Sequence, residues 1–211
     1  MKRLLSIAFV AIVATNAMAQ QVTVAEPEFA EQSLVLTSDS TFIMLPRESA
    51  SLKTKASASL YLTGIGKVKS RITLKGENSN VVVKQEPMLR LIVKASDNKT
   101  DPKSFISLFK FEVKTNKRQA LVAEVGTFSG ASENSLSNID FNAKKYGEAS
   151  YILYLDNLTP GEYGLLLGDP NALTGKNSFK VTTFCITVDG NAPTPRKSQN
   201  WDDSGDGMYY E

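Results

Sequence analysis

Apolar residues along this chain recur at every second position, not at every third or fourth. Phe105 to Val113 (FISLFKFEV) is the clearest stretch, and it places Phe105, Phe109, Phe111 and Val113 on one face of an extended strand. A period of two is a strand's period, because successive side chains leave opposite faces of a pleated backbone. Helical apolar stripes with caps are missing. Pro102 to Ile106 and Phe141 to Tyr146 offer one turn each at most.

The remaining strands predicted on this basis are short and closely spaced. They are Ser33 to Leu36 and Thr41 to Leu45, flanking the turn residues Thr37-Ser38-Asp39-Ser40; Ala58 to Thr63 and Lys67 to Lys75; Val81 to Lys84 and Leu89 to Ala95. Ala120 to Val125 is expected to pair with the Phe105 run across Thr115-Asn116-Lys117. Ser150 to Leu155, Tyr163 to Leu167 and Phe179 to Val188 complete the set, after a long polar connection from Gly126 to Gly147. Crossover helices, which a parallel sheet requires, are absent from the pattern. The expected fold class is therefore all-β: an antiparallel β-sandwich, immunoglobulin-like or related, with long loops.

Leu158-Thr159-Pro160-Gly161-Glu162-Tyr163 is the most informative local motif. Pro160 presets φ for a turn, Gly161 accepts a positive φ, and Tyr163 opens the next strand. This arrangement predicts a tyrosine corner, in which the phenol bonds back to nearby backbone. It speaks for a sandwich and carries no chemistry.

The chain's ends suggest its address. Lys2 and Arg3, the apolar run Leu4 to Val13, and Ala17-Met18-Ala19 read as a cleavable signal peptide over residues 1–19, with Gln20 as the mature N-terminus. The apolar run is about half the roughly 20 residues that cross a bilayer, and no later segment is apolar enough to span as a helix. The product is expected to be exported: periplasmic, associated with the cell surface, or extracellular. Residues 20–188 are expected to form one sandwich domain. Residues 189–211 (DGNAPTPRKSQNWDDSGDGMYYE) lack periodicity and are expected to be a flexible polar tail.

Several chemistries are excluded by composition. There is no His, which removes Ser-His-Asp and Cys-His nucleophile systems and the usual zinc ligand sets. Cys185 is the only cysteine, so no disulfide forms within the chain, and a packed strand position is expected for it. Without Lys2 and Arg3 the chain carries 22 basic and 22 acidic residues, a balance that argues against a nucleic-acid partner. No cofactor or metal is expected. Asp202-Asp203-Ser204-Gly205-Asp206-Gly207 imitates part of a calcium loop, but its bidentate Glu would fall beyond the last residue. Gly64-Ile65-Gly66 leads into a strand and lacks the third Gly of a dinucleotide loop, so it reads as a turn.

Pro27-Glu28-Phe29, Gly64-Ile65-Gly66-Lys67-Val68-Lys69, Phe109-Lys110-Phe111-Glu112, Lys145-Tyr146-Gly147 and Pro160-Gly161-Glu162-Tyr163 together resemble an uncharacterised family of secreted β-sandwich proteins from Bacteroidetes-type bacteria. The resemblance spans about residues 27 to 188. It implies an exported domain and supplies no activity or site. Asp39-Ser40-Thr41 also resembles the O-glycosylation tripeptide of such proteins.

One constellation stands out as a candidate binding site. On a strand, Lys67, Lys69, Arg71 and Lys75 share one face while Val68, Ile72 and Leu74 share the other. Cations about 7 Å apart can track a polyanion such as an acidic polysaccharide or lipid head groups. The competing explanation is a solvated strand kept charged against edge-to-edge aggregation, and the absence of a stacking aromatic favours it. The functional expectation is thus an exported, non-catalytic module that binds or associates structurally at the cell envelope, with an unidentified protein or glycan partner. A glycan- or polyanion-binding domain using the Lys67–Lys75 face is the first alternative. A carboxylate-based hydrolase, which needs two acidic residues in a cleft, is the second.

Overall fold

The computed structural model describes residues 22–63, 65–126, 133–134, 136–168 and 178–193. Residues 1–19 and the tail beyond residue 193, with Trp201 and Asp202 to Gly207, lie outside the described residues. The strands are β1 (Ser33–Leu36), β2 (Phe42–Met44), β3 (Arg47–Ala56), β4 (Lys67–Lys75), β5 (Val82–Lys84), β6 (Met88–Lys94), β7 (Ile106–Lys110) and β8 (Glu112–Lys114). They continue with β9 (Lys117–Gly126), β10 (Glu133–Asn134), β11 (Asn142–Tyr146), β12 (Ser150–Asp156), β13 (Gly161–Leu167) and β14 (Phe179–Thr187). The helical elements are a short helix α1 (Ala58–Thr63) and a 3₁₀ turn at Pro102–Ser104.

These strands form two sheets. One has five strands in the order β11-β12-β6-β1-β2. The other has nine, in the order β10-β9-β4-β3-β14-β13-β7, with β5 beside β14 and β8 beside β9. The pairings are antiparallel apart from β5 with β14. The long sheet curls round on itself. β7 pairs with β13, and one residue later, past Phe111, β8 pairs with β9. β9, β4, β3, β14, β13 and the β7–β8 run therefore make a near-closed barrel, against which the five-stranded sheet packs. The fold is all-β and antiparallel, as the alternation predicted.

Three differences from the sequence reading have physical causes. Phe105 to Val113 is not one strand: it breaks at Phe111, whose N–H donates to Glu162 O at 2.8 Å. Phe109 and Phe111 face the barrel interior, while Phe105, which caps the 3₁₀ turn ahead of β7, packs edge-on against Tyr151 between the sheets. Ala58 to Thr63 is helix α1 instead of a strand. β3 and β4 pair as far as Ala56 with Val68, so the intervening residues must reverse the chain. The polar connection after Gly126 holds β11, which pairs along β12. Its one-sided, weakly apolar sequence NAKKY hides it.

Apolar burial follows the layers. Val35, Leu91, Leu108, Leu153, Leu165 and Phe184 fill the space between barrel and sheet. Ala50, Ile72, Leu74, Phe109, Val122 and Leu166 fill the barrel itself. Each fully buried Leu, Ile or Phe contributes about 1.5–3 kcal/mol. β13 shows how both cores come from one strand: Tyr163 and Leu165 face the sheet, and Leu166 faces the barrel. The predicted tyrosine corner is present. Tyr163 Oη donates to Thr159 O at 2.5 Å, and its ring stacks on Phe184. Gly161 has φ of 151°, and a Cβ there would strike the Lys110 side chain.

The N-terminal segment crosses the outer face of the smaller sheet, where Val24 packs with Leu34, Ile92 and Ile152. Glu26 pins it. Its carboxylate accepts from Ser150 Oγ (2.5 Å), Glu148 N (2.6 Å), Ala149 N (3.1 Å) and Lys94 Nζ (3.1 Å).

Candidate functional site

The basic strand β4 keeps the exact boundaries of its prediction, and Ile72 and Leu74 turn into the barrel as expected. Its position in the sheet is new. β4 is an interior strand, paired along its length with β3 on one side and β9 on the other. Edge protection therefore does not account for its charge. The neighbours add cations and one anion: Lys53 lies opposite Arg71, Lys55 opposite Lys69 and Lys117 opposite Lys75, while Glu124 of β9 lies opposite Lys69 on its other side. Like charges placed directly across a sheet are destabilising.

Lys53, Lys55, Lys67 and Lys75 are exposed, and Lys69, Arg71 and Lys117 half-buried. Glu112 on β8 reaches this face from the side. A hydrogen bond from Lys114, with help from the Arg71 charge, holds its carboxyl below the usual range. At the end of the β3–β4 connection, α1 presents Tyr61 (80 % exposed) and Leu62 (84 % exposed), with Ile65 beside them. Gly66 begins the return. A side chain there would collide with Ser57 and Leu60, so glycine is required at this close approach.

A second constellation lies in the barrel's polar end, and the sequence reading missed it. Arg118 is a fully buried cation, its side chain 1 % exposed. It donates to Glu48 Oε2 at 2.5 Å, Ser79 Oγ at 2.7 Å, Gly76 O at 3.2 Å and, more distantly, Glu162 Oε2 at 3.4 Å. Glu162, 3 % exposed, also accepts from Ser79 N (2.9 Å) and Ser79 Oγ (2.5 Å) through the same Oε2. Its Oε1 has no N–H or O–H donor. Glu48 Oε1 accepts from Thr183 Oγ1. A signal for this cluster exists in the sequence. Glu48, Arg118 and Glu162 each stand in phase with the inward apolar positions of their strands: Ala50 and Leu52, Ala120 and Val122, Gly164 and Leu166.

Cys185 lies buried in β14 beside this cluster, as its expected packing role requires. Burial, then a hydrogen bond to Glu162 and the charge of that carboxylate, push the thiol up to about 12, so it stays protonated and unreactive. A pocket of about 230 Å³ opens here, walled by Glu77, Val113, Pro160, Glu162, Ile186 and Thr187. It brings two carboxylates to one cavity, as a hydrolase would need. Each has one oxygen engaged: Glu77 Oε1 accepts from Asn116 N, and Glu162 Oε2 is held by Ser79 and Arg118. The volume falls below the roughly 300–1,000 Å³ of typical ligand pockets. Among the described residues, no group of three His, Cys, Asp or Glu side chains is placed to hold a metal.

No protein-family model matches this chain, and no curated protein matches it significantly.

Proposed function

We propose that this chain is an exported, non-catalytic binding module of the cell envelope, and that the outward face of β3, β4 and β9 is its docking surface for an acidic polysaccharide. The observation that carries this reading is the register of Lys53 and Lys55 against Arg71 and Lys69 on interior strands. Only Lys69 of this row faces an acidic residue across the sheet, Glu124, and a polyanion laid along the face relieves the repulsion between the opposed cations. Tyr61 supplies an exposed aromatic at the row's end, suited to stacking on a sugar ring.

Heparin chromatography across a salt series tests the reading. The wild-type chain is expected to be retained, with retention falling steeply as salt rises. Changing Lys67, Lys69 and Arg71 together to Glu is expected to abolish it. Unchanged retention in the triple variant refutes the proposal. Exposed Leu62 and Ile65 favour a second reading, an anionic lipid surface. Leu62→Asp distinguishes the two: it weakens binding to phosphatidylglycerol vesicles if lipid is the partner and leaves heparin retention unaffected.

A further inference from the structure

We infer that the pocket at the polar end of the barrel is a binding site for a primary alkylammonium group, with Glu162 as its anionic anchor. This site is separate from the basic face, and the inference stands whichever polyanion that face takes.

The argument begins with charge. The cluster contains one guanidinium, Arg118, against two carboxylates, Glu48 and Glu162, so it is one positive charge short. The shortage is not shared equally. Arg118 lies 2.5 Å from Glu48, which is also partly open to solvent, and 3.4 Å from Glu162, which is not. Glu162 is thus the under-compensated carboxylate, and it is the buried one. Buried ions without full pairing are costly, and buried acceptors without donors are rare enough to need an explanation.

One such acceptor belongs to this cavity: Glu162 Oε1 is buried without an N–H or O–H donor, the carboxylate being faced from β14 by the weak donor of the Cys185 thiol, and Glu162 is part of the pocket wall. Thr187, whose hydroxyl bonds to Asp189, lies on the same wall. Because Glu162 Oε2 is taken up by Ser79 and Arg118, Oε1 is the oxygen left to a ligand. An ammonium fits this demand: it carries one positive charge and three donors in a compact head. A guanidinium would seek both oxygens of one carboxylate side by side, and Glu162 has only Oε1 left. A metal ion would need further ligands that are not grouped here. The wall also holds the polar Glu77 and Asn78, with Val113, Pro160 and Ile186 placed to contact a methylene stem. The neutral Cys185 thiol adds no competing charge.

Titration of the ¹⁵N-labelled chain with n-butylammonium chloride tests this. Saturable shifts are expected at the amides of Gly161, Glu162, Ile186 and Thr187, with n-butanol and equimolar sodium chloride producing none. Nα-acetyl-lysine methylamide is the second ligand. If it binds as well, the natural occupant is a partner's lysine; if only the free amine binds, it is a small amine. Glu162→Gln is expected to weaken binding by roughly tenfold or more. Thr187→Val, which leaves the buried charges alone, is expected to weaken it less and serves if the first variant does not fold. Absence of saturable shifts in the wild type overturns the inference. So does equal binding of n-butanol or sodium, or a Thr187→Val variant that binds as tightly as wild type where Glu162→Gln cannot be read.

Discussion

Arg118→Met removes the guanidinium on which two carboxylates, the Ser79 hydroxyl and the Gly76 carbonyl converge. The substitution keeps an unbranched apolar stem of similar length, so the barrel's packing is nearly preserved and the loss is electrostatic. Glu162 keeps the Ser79 bonds but loses its counter-charge, and Ser79 Oγ, Gly76 O and Glu48 Oε2 each lose a donor. Breaking a buried ion pair from one side costs about 3–5 kcal/mol. In a chain of this size each kcal/mol lowers the melting temperature by about 2–4 °C, so a fall of roughly 6–20 °C is expected. Adding Glu162→Gln should return part of that loss, because it removes the charge left uncompensated. The four chains of this double-mutant cycle, melted by circular dichroism, should show a coupling of about 1–3 kcal/mol. A fall below about 2 °C, or strictly additive singles, would refute the claim that Arg118 holds the two acids in place.

Two further outcomes follow from single contacts. Burial alone would raise the Glu26 carboxyl, but hydrogen bonds from Ser150, the Glu148 and Ala149 amides and Lys94 outweigh it and lower it to about 2. Its folded value is depressed, so its stabilisation is fully present above pH 4.5 and is lost as pH falls toward 2. Acid melts should therefore show less pH dependence in Glu26→Gln than in wild type over that window, and identical profiles would contradict the assignment. Tyr163→Phe keeps the stack on Phe184 and deletes the bond to Thr159 O, for an expected cost of about 1 kcal/mol or 2–4 °C. An unchanged melting temperature would mean that the corner contributes nothing.

How much was legible in the sequence depends on whether the signal was local. Lys67 to Lys75 alternates cations with apolar residues, and its strand limits were readable because both faces speak at once. Leu158 to Tyr163 carries its own turn chemistry, so the corner was readable too. Arg47 to Ala56 was not: only Ala50 and Leu52 mark its inner face, and its partners supply the rest of that core. The helix at Ala58 to Thr63 reads as a strand, because what bends it is the pairing of the strands on either side.

Alternation of side chains every two residues is a property of the backbone itself, and it alone determined that this chain makes antiparallel sheets with apolar interiors. Which strands become neighbours is a matter of distant segments meeting, and no local pattern contains it. Tertiary structure therefore decided that the cations of β4 face those of β3, and that Glu48, Arg118 and Glu162, from three separate strands, share one buried end of the barrel. Charges placed inside by register hold their meaning only once a partner 44 or 70 residues away is in place.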